Sequence, residues 1–160
     1  MDGRTIDSAN LPGVELEGFE KEFEDLDLSV SGIKTLRTGR RVRCRLVRNS
    51  SGIALLPKRT VIYQETAGNF GKRVDGYGTI TADMIAGVVD EWLPAAGVPN
   101  NDLFWIAIEG PTNCLTDLAA VAASAIAIGD PIIGLTAVTS QATTAGRVRP
   151  TNAGATGIAA

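Results

Sequence analysis

The chain of 160 residues contains no histidine. Histidine is the side chain that most often acts as a general base near neutral pH, and it is a common zinc ligand. Its absence argues against most hydrolase and metalloenzyme sites. The two cysteines, Cys44 and Cys114, are far apart in apolar surroundings and form no CxxC motif. We therefore expect two buried free thiols rather than a disulfide, a redox pair or a metal site.

Long apolar runs are also missing. The longest, from Leu118 to Ile128, has 11 residues and is interrupted by Ser124. A membrane-spanning helix needs about 20 apolar residues, so we expect no membrane partner. The first five residues, MDGRT, lack the basic start and apolar core of a secretory signal, which predicts that the protein is made and kept inside a cell.

Aromatic residues make up only 5% of the chain, whereas it contains 18 glycines and 7 prolines. This composition favours short strands joined by tight turns over long helices. The length fits one compact domain with an appendage.

Charge is strongly segregated along the chain although the net charge is only −3. Residues 1–30 hold nine acids and two bases, residues 31–74 one acid and eleven bases, and residues 75–160 eight acids and two bases. Such a chain can complement itself, copies of itself or a charged lattice. The simpler interpretation of any single charge is a solvated surface.

The acidic start, residues 1–35, is predicted to be an extended arm. Within it Leu16, Phe19, Phe23 and Leu26 recur at spacings of three, four and three, which predicts a helix with one apolar face. That face either anchors the arm on a neighbouring subunit or packs on the protein's own β domain.

Two strands are predicted most clearly. From Arg41 to Leu46 the sequence alternates strictly, which places Val42, Cys44 and Leu46 on one face and Arg41, Arg43 and Arg45 on the other. The apolar run from Leu103 to Glu109 predicts a strand that is buried on both faces at the centre of the core.

Further short strands are expected at residues 53–56, 60–64, 79–81 and 86–93, with a hairpin formed by 132–138 and 146–149. Strands at roughly ten-residue spacing predict a mainly β fold, a small β-barrel or sandwich over residues 36–150. The Ala-rich residues 115–128 fit a helix or a strand equally well. Residues 151–160 are expected to be a flexible tail.

Catalytic patterns are weak throughout. The loop from Gly68 to Arg73, GNFGKR, lacks the spacing of a phosphate-binding loop and is interpreted as a lattice-contact loop. Asp90 and Glu91 are neighbours on a predicted strand, so their side chains point to opposite faces, and we interpret them as a solvated edge. No nucleophile has a base beside it. We expect no enzyme, no catalytic residue, no metal and no cofactor.

Several phrases in the second half of the chain carry a resemblance to a known family. They are GKRVDGY at 71–77, AGVVDEWLP at 86–94, GVPNNDLFW at 97–105, EGP at 109–111, GDPII at 129–133 and TSQATTAGR at 139–147. Together they resemble head decoration (cement) proteins, small structural proteins encoded beside the major capsid protein in tailed phages. The resemblance covers about residues 70–150.

This resemblance implies a β-barrel-like virion protein on the outer surface of the capsid, where it bridges capsomers and stabilises the head. The implied partners are the major capsid protein and other copies of the chain, after synthesis in the host cytoplasm. The resemblance brings over no catalytic residue or cofactor and leaves the stoichiometry open.

The predicted capsid or subunit contacts come from the arm, the arginine strand and the glycine-rich loop. They are Leu16, Phe19, Phe23, Leu26, Arg41, Arg43, Arg45, Phe70, Lys72 and Arg73. One alternative is a head–tail or tail component. Another is a nucleic-acid-binding β-barrel, which we do not expect because no aromatic side chains interleave with the arginines and the sequence pI is about 5.0.

Overall fold

A computed structural model describes residues 16–30, 33–77, 84–116, 132–134 and 145–150. All regular elements in these ranges are strands, which confirms the mainly β prediction. The strands are β1 (Glu20–Asp27), β2 (Thr35–Asn49), β3 (Thr60–Ile62), β4 (Arg73–Val74), β5 (Ile85–Val89), β6 (Leu103–Glu109), β7 (Ile132–Gly134) and β8 (Val148–Pro150).

The larger sheet has the strand order β1-β2-β6-β5-β3, and every pair along it is antiparallel. The short strand β4 pairs in parallel with the end of β2 and forms a bridge from Val74 to Tyr63, the residue that follows β3. The sheet therefore curls around its core, but the strands that the structure describes do not close into a barrel. The second sheet is the antiparallel pair β7-β8, which joins two segments predicted to form a hairpin.

Strand β2 is the longest element, with 15 residues. Its alternation is confirmed, since Val42, Cys44 and Leu46 are buried whereas Arg41 and Arg43 are exposed. Strand β6 pairs with β2 only from Arg43 onwards. The first part of β2 is thus paired with β1 alone among the described strands, and the β1–β2 hairpin extends past β6.

Strand β6 lies between β2 and β5 at the centre of the sheet. On one face Phe104 and Ile106 join the main core cluster, and on the other Trp105 and Ala107 join a smaller one. This confirms the prediction of a strand buried on both faces. The main cluster contains Val47, Leu55, Val61, Tyr63, Val74, Ala86, Val89, Leu93, Val98, Phe104 and Ile106.

The helix predicted for Leu16 to Leu26 is wrong, because residues 20–27 form strand β1. The apolar spacing matches a helix, but Glu20, Glu22 and Glu24 recur at every second position, as do the arginines of β2. Antiparallel pairing with β2 aligns these two sets and satisfies the backbone of β1 as well. A bulge between Glu24 and Leu26 shifts the register of the remaining pairs.

Other predicted boundaries also change. Residues 53–56 form no strand and contribute only a bridge from Leu55 to Val98. Strand β5 ends at Val89, and a turn follows in which the N–H of Leu93 donates to the carbonyl of Asp90. Residues 1–15 of the predicted arm, residues 79–81, residues 117–128 of the Ala-rich segment and the tail 151–160 lie outside the described residues.

Replacing Phe104 by alanine is expected to destabilise the protein by about 3–5 kcal/mol, because this fully buried ring fills the centre of the main cluster. Ile53→Ala, at a side chain that is 52% exposed, is the matched control and should stay within about 0.5 kcal/mol of the wild type. Denaturant unfolding measures both. Equal costs for the two variants would contradict the assignment of the core.

Candidate subunit-contact surface

Acidic side chains of β1 pair with arginines of β2 on one face of the sheet. Glu20 accepts hydrogen bonds from Arg43 and Arg45, with 2.9 Å from Arg43 Nε and 3.0 Å from Arg45 Nε. Arg41 Nη1 lies 3.2 Å from Glu22. Glu109 of β6 lies 3.6 Å from Arg43 Nη1. We call these six residues the Glu–Arg ladder.

The ladder follows from strand register. Glu20 lies opposite Arg45 and Glu22 opposite Arg43, so charges of opposite sign meet across neighbouring strands. Hydrogen bonds from Arg45 and Arg43 lower the pKa of Glu20, which keeps its carboxylate ionised. The acidic segment and part of the basic segment of the sequence thus complement each other within one chain.

The three arginines of the ladder differ in exposure. The Arg41 side chain is 72% exposed and that of Arg43 is 50% exposed, whereas that of Arg45 is 25% exposed. Arg45 also donates to the Tyr63 hydroxyl. Arg45 therefore links the ladder to the main core, and Arg41 and Arg43 lie towards solvent.

The glycine-rich loop before β4 lies next to the inner end of the ladder. The Phe70 ring, which is exposed, packs on Tyr63 with 4.8 Å between ring centroids. The backbone carbonyl of Lys72 accepts from the N–H of Arg48 at 3.0 Å. The structure therefore brings the predicted contact residues Phe70 and Lys72 close to Arg45 through Tyr63 and the end of β2.

Glu17, just before β1, connects the N-terminal segment to β2 and β4. Its carboxylate accepts from Arg48 and from Arg73 Nε at 3.4 Å. The backbone of Leu16 accepts from the N–H of Phe19 at 3.2 Å, which forms a turn leading into β1. The predicted contact residue Arg73 is thus paired with the chain's own N-terminal segment.

Phe19 and Phe23 lie on the opposite side of the sheet from the ladder. Their rings contact Trp105 edge-on, with centroids 6.3 Å and 5.1 Å away respectively. Phe23 packs on the small cluster that contains Val42 and Cys44. The predicted contact residues consequently do not form one surface, because Phe23 and Arg45 lie on different faces.

Both cysteines are free, as predicted. Cys44 is fully buried, and burial raises the pKa of its thiol to about 12. Cys114 is only half-buried, so the prediction that both thiols are buried is wrong for this residue. Burial also raises the pKa of the Cys114 thiol, to about 11, and neither group is an ionised nucleophile near neutral pH.

The hairpin tip, which we define as Val30, Ile33 and Leu36, exposes three apolar side chains. Their exposed fractions are 57%, 53% and 63%. Leu36 pairs with the predicted contact residue Leu26 where β1 ends. Sequence reasoning missed the tip, because these residues flank a turn without any strand or helix periodicity.

A buried ionic network joins the hairpin to the segment after β5. Arg37 donates to Asp25 at 3.0 Å through Nε and to Glu91 at 2.8 Å through Nη2. Both carboxylate side chains are only 2% exposed. Thr38 donates to Asp25 and Asn113 to Glu91, each at 2.6 Å.

This network corrects the interpretation of Asp90 and Glu91 as a solvated edge, because both residues are buried. The charged partner of Glu91 is Arg37, 54 positions earlier in the chain. The spacing of residues along the chain does not predict a pair this far apart, because only folding of the sheet brings the two side chains together.

No family model, no curated protein and no solved structure matches the chain. Among the described residues, no group of three or more His, Cys, Asp or Glu side chains could hold a metal ion, and no helix could span a membrane. The resemblance to head decoration proteins stays a prediction from sequence motifs.

Asp25→Asn is expected to cost about 1–3 kcal/mol of folding free energy at neutral pH, since it weakens a buried charged hydrogen bond to Arg37. Burial acts to raise the pKa of Asp25, but hydrogen bonds from Arg37 and Thr38 outweigh it and bring the pKa below the ordinary 3.8. The stabilisation by Asp25 is therefore present above pH 3.8 and is lost as the pH falls through the lower folded-state pKa.

Urea unfolding at pH 7 and at several values between about pH 4 and pH 2 checks this prediction. The variant should lose less stability than the wild type over the acidic range, because it lacks one titrating carboxylate. The control is Glu24→Gln, at an exposed position on the same strand, which should behave like the wild type. Parallel acid profiles for Asp25→Asn and the wild type would contradict the network's role.

Proposed function

We propose that this protein is a structural virion protein that binds the outer surface of a tailed-phage capsid and stabilises the head by bridging capsomers. The observation that carries the proposal is the hairpin tip, where Val30, Ile33 and Leu36 are each more than half exposed. An exposed group of apolar side chains rimmed by charged ones is typical of a protein interaction site.

The hairpin is held in place before any partner binds. Beside the tip, Arg37 joins Asp25 to Glu91, so the hairpin is fixed to the segment after β5. A contact element that is already ordered loses less conformational entropy on binding than a flexible arm does. This favours a rigid hairpin as the element that reaches a neighbouring subunit.

The ladder supplies the polar part of the proposed contact. Arg41 and Arg43 are its exposed members, and both lie on β2, one of the two strands of the hairpin. In the proposal they approach acidic groups of the major capsid protein, where charge complementarity governs orientation and association rate more than affinity. Arg45 acts inside the chain, through Glu20 and Tyr63.

The identity of the partner rests on the resemblance of residues 70–150 to head decoration proteins. The tip by itself would equally suit contact with another copy of the chain or with a head–tail or tail component. Nucleic-acid binding is favoured less, because no aromatic side chains interleave with the arginines of β2 in the sequence and the sequence pI is about 5.0.

The test is a binding assay on purified phage heads that lack this protein. A triple variant, Val30→Ser, Ile33→Ser and Leu36→Ser, should bind about tenfold or more weakly, because it removes the apolar contact while leaving the buried network intact. Co-sedimentation with the heads measures occupancy, and urea unfolding verifies that the variant is folded.

The control is Ile53→Ser, which changes an equally exposed apolar residue that is not part of the tip. It should bind like the wild type. Absence of wild-type binding to any head would overturn the capsid proposal, and labelled protein found only at the tail would favour the tail component instead. Full binding by the triple variant would overturn the role of the tip.

A further inference from the structure

Arg59, immediately before β3, is a buried cation. The residue is only 6% exposed. One of its terminal nitrogens donates to the carbonyl of Ala145, and its guanidinium lies 5.7 Å from the centre of the Tyr77 ring. A guanidinium has five N–H donors, so most of its hydrogen-bonding capacity is not used by these contacts.

A second arginine lies close to the first. Arg147 precedes β8, and the neighbouring Gly146 carbonyl accepts from both the N–H and the hydroxyl of Thr60, at 2.6 Å and 3.1 Å. These bonds fix the start of β8 beside the start of β3. Burial is the main cause that lowers the pKa of Arg59; Tyr77 acts to raise it, and the positive charge of Arg147 lowers it.

Within the described part of the chain, Arg59 and Arg147 form no ion pair with a carboxylate. The ion pairs found there all involve other residues. In addition, the Nε atoms of both Arg59 and Arg147 are buried and have no hydrogen-bond acceptor among the described residues. This contrasts with Arg37, Arg43, Arg45 and Arg48, each of which is paired with an acid.

Two neighbouring guanidinium groups with no counter-charge are unfavourable, because burial removes water from each and their charges repel. An oxyanion relieves both effects. A carboxylate or a phosphate offers two or more acceptor oxygens in a geometry that matches the planar guanidinium fork.

We propose that Arg59 and Arg147 form a binding site for a small oxyanion of the carboxylate or phosphate class. Tyr77 forms one wall, since its ring lies against Arg59 and its hydroxyl accepts from the N–H of Leu56 at 2.7 Å. The ligand is held without any covalent step. This site is separate from the hairpin tip and does not depend on the proposed capsid function.

The test measures thermal unfolding of the full chain while sodium phosphate or sodium acetate replaces sodium chloride at constant ionic strength. The melting temperature should rise with the oxyanion concentration and then saturate, because a ligand that binds only the folded state stabilises it. A rise with phosphate alone identifies a phosphate site, and an equal rise with acetate identifies a carboxylate site.

Arg147→Gln should reduce the apparent affinity for the oxyanion by about tenfold or more. This variant is preferred to Arg59→Gln, because Arg147 is only partly buried and its replacement is tolerated more easily by the fold. Arg40→Gln, which removes one exposed positive charge outside the site, should keep the wild-type affinity. The absence of any rise with both anions, or equal affinities for Arg147→Gln and the wild type, would overturn the proposal.

Discussion

The pairing of the acidic strand β1 with the arginine-rich strand β2 determines how the rest of the sheet is arranged. Glu20 contacts Arg43 and Arg45 on one face, and Phe23 packs near Val42 and Cys44 on the other. Because β1 is thereby fixed along β2, the strong segregation of charge in the sequence is partly neutralised within the molecule. The same pairing extends the hairpin past β6 and positions its apolar tip.

Strand β2 contributes side chains both to the Glu–Arg ladder and to the main core cluster. Its first half carries the exposed end of the ladder, whereas in its second half Val47 enters the main core beside Phe104. Arg45 lies at the transition and connects the ladder to Tyr63. The exposed arginines Arg41 and Arg43 are therefore separated along the strand from the residues of the main cluster, so they can be changed without disturbing that cluster.

The fold was predictable from sequence where the local pattern of polar and apolar residues matches the burial of those residues in the sheet. The alternation in Arg41 to Leu46 and the apolar run of β6 are of this kind. The apolar spacing of β1 predicts a helix instead, and only its register with β2 shows that the alternating acids match the arginines of a neighbouring strand. The Asp25–Arg37–Glu91 network was unpredictable, since it depends on contacts between distant segments.

Amide hydrogen exchange of residues 20–27 in dilute wild-type protein tests the central pairing most directly. These amides are expected to exchange about a hundredfold or more slowly than in an unfolded chain, and their protection should fall when Glu20 and Glu22 are both replaced by glutamine. Exchange at the rate of an unfolded peptide would contradict this pairing, because β1 would then not be held on β2.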